Sequence, residues 1–309
     1  MPNCLICYQD AGNQPYHDRC TKKFFGTSEM PILDLNQDLL KELAEQTVNQ
    51  RIAVTGVQPK LSVTLEKFHG NGRLTIVRLW GEYILKPQHN TLPHMPETED
   101  LTMHLAHIFD VETCDHTLLR ASDGNLVYLA KRFDREKNRK IHVEDFCQLS
   151  EFLTENKYKG SYERAGKLIQ KYCTNTGLDL LKYFELLLFC YLTGNNDMHL
   201  KNFSLIHRDD TINFSPAYDL INVNLVFPKD QEEMALILNG RKKNIHLRDF
   251  EALGMVLGIP DKVRDNSYKK FSSYNQDVRQ TIGASFLPPD MQESYCQIWE
   301  KKQRLFSQA

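Results

Sequence analysis

The chain has no stretch built to cross a bilayer. Its most apolar segment, around Leu180 to Leu192, is too short and carries Lys182 and Glu185. It also has almost no net charge: 38 Lys and Arg stand against 40 Asp and Glu, for a net −2. That excludes an overall field drawing it to nucleic acid or a membrane surface, though a local basic patch remains compatible. There is no low-complexity tract and no internal repeat, which excludes a solenoid or an extended disordered chain. The N-terminal MPNCLICYQD lacks the basic and long apolar regions of a secretory signal. The eight cysteines are therefore expected to be reduced thiols in a cytoplasmic protein without a membrane partner. What is present is a globular composition, 41% hydrophobic over 309 residues, enough for two lobes with a substantial core.

The texture divides the chain into a Cys/His-containing segment (1–30), a strand-rich N-lobe (31–133) and a helical C-lobe (134–309). Leu33, Leu35, Leu39, Leu40 and Leu43 predict an amphipathic helix within 31–49. RIAVTGVQPKLSVTL and LTIVRLWGEYILK alternate apolar and polar residues around the turn HGNG at 69–72. Asp123-Gly124 marks a second hairpin, and the spacing predicts one helix from Glu97 to Phe109, with Pro96 in its first turn. Helices are expected over 144–155, 161–173, 178–193, 247–257, 275–284 and 289–306, with small strands and loops between Asn195 and Phe227. This is an α+β pattern of two unlike lobes, with a site expected in the cleft between them.

The chemistry concentrates in GNNDMHLKNFSL (194–205), which directly follows the apolar LLKYFELLLFCYLT. Asn195, Asn196, Asp197, His199, Lys201 and Asn202 are groups that burial penalises unless partners are supplied. Asp197 and Asn202 have the five-residue spacing of the protein-kinase catalytic loop. There the Asp accepts the hydroxyl proton and the Asn holds a metal that bridges the phosphates. A second carboxylate must complete such a metal site, and Asp219 follows in SPAYDLI. A kinase also needs a strand lysine with a helix glutamate; Lys86 ends EYILK, and Glu99 sits near the start of the next helix. Gly56, in VTGVQPKLS, offers a loop whose N–H groups can face a phosphate. Each of these taken alone also suits a solvated loop, strand end or turn. Their order along the chain carries the reading.

With these residues the chain resembles the HipA-like serine/threonine kinase family, the toxins of bacterial toxin–antitoxin modules. The resemblance rests on TGVQPKLS (55–62), YILKP (83–87), MPETED (95–100), KRFDR (131–135), HVEDFCQLSE (142–151), GNNDMHLKNFSL (194–205) and PAYDL (216–220). It implies a two-lobed protein-kinase-like fold that uses ATP and Mg2+ to phosphorylate a protein hydroxyl. Asp197 would be the general base, Asn202 and Asp219 the magnesium ligands, and Lys86 the phosphate contact paired with Glu99. Gly56, Val57 and Gln58 would face the phosphates, and Phe133 with the backbone of Lys131 would form the adenine hinge. Gln148, His199 and Tyr218 would line the nucleotide pocket, although His199 reads equally as a structural histidine.

The family resemblance also implies partners: a helix-turn-helix antitoxin that binds operator DNA, a small third protein in the shorter forms, and an aminoacyl-tRNA synthetase as substrate. The glutamate and tryptophan synthetases are the leading expectations, and any DNA contact would be indirect. Relative to the longest members, a region before the strand-rich lobe looks missing. The family autophosphorylates in its glycine loop; here Ala53-Val54-Thr55 leaves Thr55 as the hydroxyl candidate, with Ser62 second. A phosphate at Thr55 would add nearly two negative charges beside the nucleotide phosphates. Lys131 stands where the family often has an acidic residue, which leaves only a backbone contact. The other readings are a small-molecule phosphotransferase and a non-catalytic antitoxin-binding scaffold.

Apart from this, Cys4-x2-Cys7 and His17-x2-Cys20 supply four ligands suited to tetrahedral zinc. The same cysteines also suit small buried hydrophobes, with His17 at the surface. Cys114, Cys147, Cys173, Cys190 and Cys296 have core-like neighbours and read as packing residues.

Overall fold

Leu61 and Val63 are buried while Ser62 and Thr64, which alternate with them, are half-exposed, the two-residue period of a strand with one covered face. In this computed structural model, which describes residues 3–49, 60–68, 71–77, 80–136 and 139–304, that strand belongs to one of two units. The first unit comprises Met1–Leu101, Cys114–Arg132 and Gly283–Leu287; the second comprises Thr102–Thr113, Phe133–Ile282 and Pro288–Ala309.

In the first unit, α1 (Asp18–Phe25) and α2 (Gln37–Asn49) precede β1 (Leu61–Phe68), β2 (Asn71–Ile76) and β3 (Tyr83–Lys86). Helix α3 (Met95–Ile108) follows, belonging to this unit through Leu101 and to the second from Thr102, then the hairpin β4 (His116–Arg120) and β5 (Leu126–Lys131). The five strands form one antiparallel sheet in the order β2-β1-β3-β5-β4. Phe24, Phe25, Leu33 and Leu40 pack with Leu61, Val63, Tyr83, Leu85, Val127 and Leu129 into one apolar cluster. Each such fully buried side chain contributes about 1.5–3 kcal/mol. The expected continuous strand LTIVRLWGEYILK is instead broken between β2 and β3, which flank β1 on opposite sides. Gly81 marks the break: a Cβ there would lie 2.6 Å from the carbonyl oxygen of Val63.

After Arg132 the chain continues in the second unit with a small hairpin, β6 (Arg135–Glu136) and β7 (Arg139–Lys140). Then come β8 (His142–Asp145), α4 (Phe146–Leu149), α5 (Tyr162–Tyr172) and α6 (Thr176–Leu192). Strands β9 (Ser204–Arg208) and β10 (Thr211–Phe214) join β8 in an antiparallel sheet, β10-β9-β8. The rest is helical: α7 (Val223–Val226), α8 (Leu247–Val256), α9 (Asp261–Ser273), α10 (Asn275–Ala284) and α11 (Pro289–Gln303). Every residue from Leu186 to Leu192 is buried, so α6 is the axis of this unit.

Four helical stretches differ from expectation, the one-turn α7 falling where small strands and loops were expected. The helix expected over 144–155 stops after one turn, because Glu151 takes a left-handed φ of 58°. Helix α9 was not expected; its covered face uses Arg264 and Ser267 beside Tyr268 and Phe271, and Arg264 is neutralised by Glu251 and Asp261. Helix α1 falls in the segment read only for its cysteines.

In α11, Lys302 is buried with its Nζ 4.7 Å from the Tyr191 ring centroid. Burial pushes its pKa down to about 8, with Glu233 opposing and Lys301 adding to the shift. Because the unfolded chain then holds this proton more tightly, native stability should rise between about pH 8 and the ordinary lysine range. Lys302→Met should stabilise the protein at pH 7 by at most about 3 kcal/mol and flatten that rise. Denaturant unfolding at pH 7, 9 and 10.5 measures both effects.

Candidate active site

Helix α6 must end where its apolar sequence ends. Thr193 N–H still bonds Phe189 O at 2.9 Å, Gly194 turns left-handed at φ 69°, and Asn195 N–H returns to Cys190 O at 2.8 Å. The carbonyl of Gly194 then accepts N–H bonds from Val223 (3.1 Å) and Asn224 (3.3 Å). That pair pins the segment just after Asp219 against the start of the loop that carries Asp197. A Cβ at 194 would meet Asn222 Oδ1 at 2.8 Å, so only glycine allows this approach.

The loop rests on an aromatic floor. Tyr162 OH donates to Met198 O at 3.2 Å, Tyr183 OH donates to Tyr162 O at 2.9 Å, and the Phe146, Phe203 and Phe214 rings pack together beneath. Asn202 ends a 3-10 turn, Leu200–Asn202, and its Nδ2 donates to Asp197 O at 3.0 Å. That bond uses the donor end of the amide. His199 caps the same turn, its Nδ1 accepting Lys201 N–H at 3.3 Å. Burial and then Lys157 push the His199 pKa down to about 4, so the ring is neutral and serves the backbone. The structural reading of His199 thus has a named partner.

Asp197 is half-buried, and burial raises its carboxyl above the ordinary range; Asp219 and Asp230 push the same way, while Tyr158 and Lys157 oppose. Tyr158 OH donates to Asp197 Oδ1 at 2.6 Å, and its ring stands edge-on to His199 at 5.0 Å. Leu200 N–H bonds Lys157 O at 3.1 Å, which fastens the Tyr158 segment to the loop. Sequence reasoning missed Tyr158, which lies 39 residues from Asp197 with no periodicity linking them. Asp219 itself takes a left-handed φ of 56°, unusual for a residue with a Cβ.

Tyr218 OH donates to Lys201 O at 2.9 Å and shares a hydrogen bond with Ser204 Oγ; its ring lies 5.6 Å from Phe133. Gln148 is exposed and its side chain is engaged in a capping box, accepting Asp145 N–H at 3.0 Å while Asp145 Oδ1 accepts Gln148 N–H at 2.8 Å. Asp145 Oδ2 is also paired with Lys201 Nζ at 2.8 Å.

In the first unit, Lys86 Nζ meets Glu99 Oε1 at 2.6 Å, with both side chains buried, and lies 5.5 Å from the Tyr128 ring centroid. Lys131 N–H donates to Asp115 O at 2.7 Å, so that group is engaged within the sheet edge. Ser62 lies inside β1, between β2 and β3, with its Oγ accepting Gly81 N–H at 3.1 Å. Thr55, Gly56, Val57 and Gln58 lie outside the described residues.

Residues 52–283 match the family model of the HipA-like C-terminal domain. The chain belongs to this family. Over 188 residues it is 29% identical to a Haemophilus influenzae protein that bears a provisional kinase name, covering 57% of this chain and 54% of that one. Over 235 residues it is 24% identical to the serine/threonine-protein kinase toxin HipA of Shewanella oneidensis, covering 68% of this chain and 52% of that one. Among solved structures, the S. oneidensis complex of HipA, HipB and operator DNA aligns with a TM-score of 0.67 at 22% identity, over 83% of this chain and 65% of that one. The chain spans about half the length of the curated relatives it matches. The likeness to the solved complex is one of fold, and the α+β kinase-like fold expected from the sequence is the one found.

The HipA-like loop fits a magnesium ion by its donor chemistry. Mg2+ takes oxygen ligands, including one or two carboxylates. Asp219 would supply a carboxylate and Asn202 an amide oxygen, and Asp219 is close enough to raise the Asp197 carboxyl. Two crowded carboxylates are relieved by a cation.

The buried Lys86–Glu99 pair sets a stability test. Glu99→Leu leaves a buried ammonium without its carboxylate and should cost about 3–5 kcal/mol. Lys86→Met/Glu99→Leu should recover most of that loss. Chemical denaturation of the three proteins reads the difference.

Proposed function

We propose that this HipA-like chain is an ATP- and magnesium-dependent serine/threonine protein kinase, acting as the toxin of a toxin–antitoxin module. The observation that carries the reading is the hydroxyl already held at Asp197: Tyr158 OH, 2.6 Å from Oδ1, has the geometry in which a base accepts a proton from an alcohol. In catalysis a substrate Ser or Thr hydroxyl takes that position, so Tyr158 withdraws from Oδ1 as substrate binds. Lys86, held by Glu99, offsets charge on the nucleotide phosphates. Asn202 and Asp219 hold Mg2+, which when bound neutralises phosphate charge during transfer. Phe133 and Tyr218 offer aromatic surface to the adenine.

The substrate we favour is an aminoacyl-tRNA synthetase, and the partners are a helix-turn-helix antitoxin and a small third protein. The solved S. oneidensis relative in complex with HipB and operator DNA supports the antitoxin partner. Among the described residues no helix is long and apolar enough to cross a membrane, and the site of action we propose is the cytoplasm. Regulatory autophosphorylation is assigned to Thr55 over Ser62, whose hydroxyl is engaged by Gly81 within a strand flanked on both sides.

Incubation with Mg-ATP and a panel of synthetases, read by peptide mass spectrometry, should place phosphate on Thr55 and on one synthetase. Asp197→Asn should abolish both; phosphate on neither from the parent protein would overturn the kinase reading. A second expectation concerns pH. The Tyr158 bond lowers the Asp197 pKa in the substrate-free protein, so Tyr158→Phe should move the acidic limb of the kcat/KM profile, which reports the free enzyme, to higher pH. An unmoved limb would remove Tyr158 from the site.

A further inference from the structure

We propose that Cys4, Cys7, His17 and Cys20 form a structural zinc site that braces the start of α3, independently of the kinase reading. Their ligand atoms all lie within 4.8 Å of one another. Cys7 Sγ is 3.4 Å and Cys20 Sγ 3.7 Å from His17 Nδ1. A tetrahedron with Zn–S of about 2.3 Å and Zn–N of about 2.0 Å has edges of roughly 3.5–3.8 Å.

The histidine is also oriented for this task. Its Nε2 lies 3.0 Å from the carbonyl oxygen of Asp10, and a carbonyl can only accept, so Nε2 carries the proton. The lone pair is thereby fixed on Nδ1, the atom facing the sulfurs, with a backbone carbonyl as the outer partner usual for metal-bound histidine. Tyr8, at a left-handed φ of 61°, closes the turn that brings Cys4 and Cys7 together, and Tyr8 N–H bonds Cys4 O at 2.9 Å.

Packing alone does not explain the set. Cys7, His17 and Cys20 are half-exposed, so they bury little apolar surface for four residues converging on one point. Three sulfurs and one imidazole, with no position left for water, describe a closed structural site.

The knot has a load to carry. Tyr8, adjacent to Cys7, donates its hydroxyl to Asp100 Oδ2 at 2.7 Å, and Asp100 Oδ1 pairs with His116 Nδ1 at 2.8 Å. Asp100 neighbours Glu99, the partner of Lys86. Leu5 O meanwhile accepts from Thr117 Oγ1 (3.3 Å) and Leu118 N–H (3.4 Å) on β4. Zinc therefore sets the position of Tyr8 and Leu5, and through them the first turns of α3 and strand β4.

The test is metal analysis of the full chain purified without chelator. We expect about one zinc per chain. Cys7→Ser/Cys20→Ser should lack it. Stripping zinc under reducing conditions should lower Tm, and zinc, not magnesium, should restore it. Because the double variant can fail to fold, cobalt(II) is also titrated into the stripped parent protein, where tetrahedral thiolate coordination gives intense visible absorption. Zinc retained by the double variant, no zinc with no cobalt spectrum, or a disulfide among Cys4, Cys7 and Cys20 in freshly purified protein would each overturn the proposal.

Discussion

The second unit depends on how one buried helix stops. Helix α6 is covered to its last turn, so it cannot fray into solvent, and its end carbonyls need partners at once. Gly194 supplies them by turning left-handed, and the same residue's carbonyl receives the chain again at Val223 and Asn224. One peptide unit thus ties two segments that are distant in sequence. Each carries one acidic residue, Asp197 shortly after the tie at Gly194 and Asp219 just ahead of the return at Val223. The crowding of two carboxylates follows from a main-chain constraint, with no attraction between the side chains required.

Electrostatics differ between the two units. In the first, carboxylates are buried and matched: Glu99 with Lys86, Asp100 with Tyr8 and His116, Glu97 with Gln88. Matching of that kind gives little net stability against an apolar core, but it fixes geometry, because breaking one side strands the other. In the second, Asp197 is raised by burial and by its acidic neighbours and is only partly relieved by Tyr158 and Lys157. A carboxyl held uncomfortable is suited to accepting a proton or sharing a cation.

Much of this was legible in the sequence, for physical reasons. The apolar run of α6 and the polar cluster after it could be read because burial and charge change abruptly at Gly194. The β4–β5 hairpin was marked by Asp123-Gly124, whose glycine takes φ 85°. Lys86 and Glu99 could be placed because a strand end and a helix start are local features. What could not be read was polar burial. Helix α9 hides its inner face behind Arg264, which looks like a surface residue until Glu251 and Asp261 are seen around it. The stretch from Phe146 to Leu153 has helical apolar spacing, yet Glu151 breaks it through its own backbone angle. Tyr158 was invisible because only the folded backbone brings it to Asp197.

Position 219 has a further consequence. Its left-handed backbone is one that Asn and Gly adopt readily and Asp tolerates, so the fold and the chemistry select on different properties there. Asp→Asn needs a single nucleotide change, and it keeps the conformation while removing the charge. On the proposed function, a copy carrying Asp219→Asn would lose one magnesium carboxylate by a short mutational route while keeping its fold, and would compete with the active protein for the antitoxin.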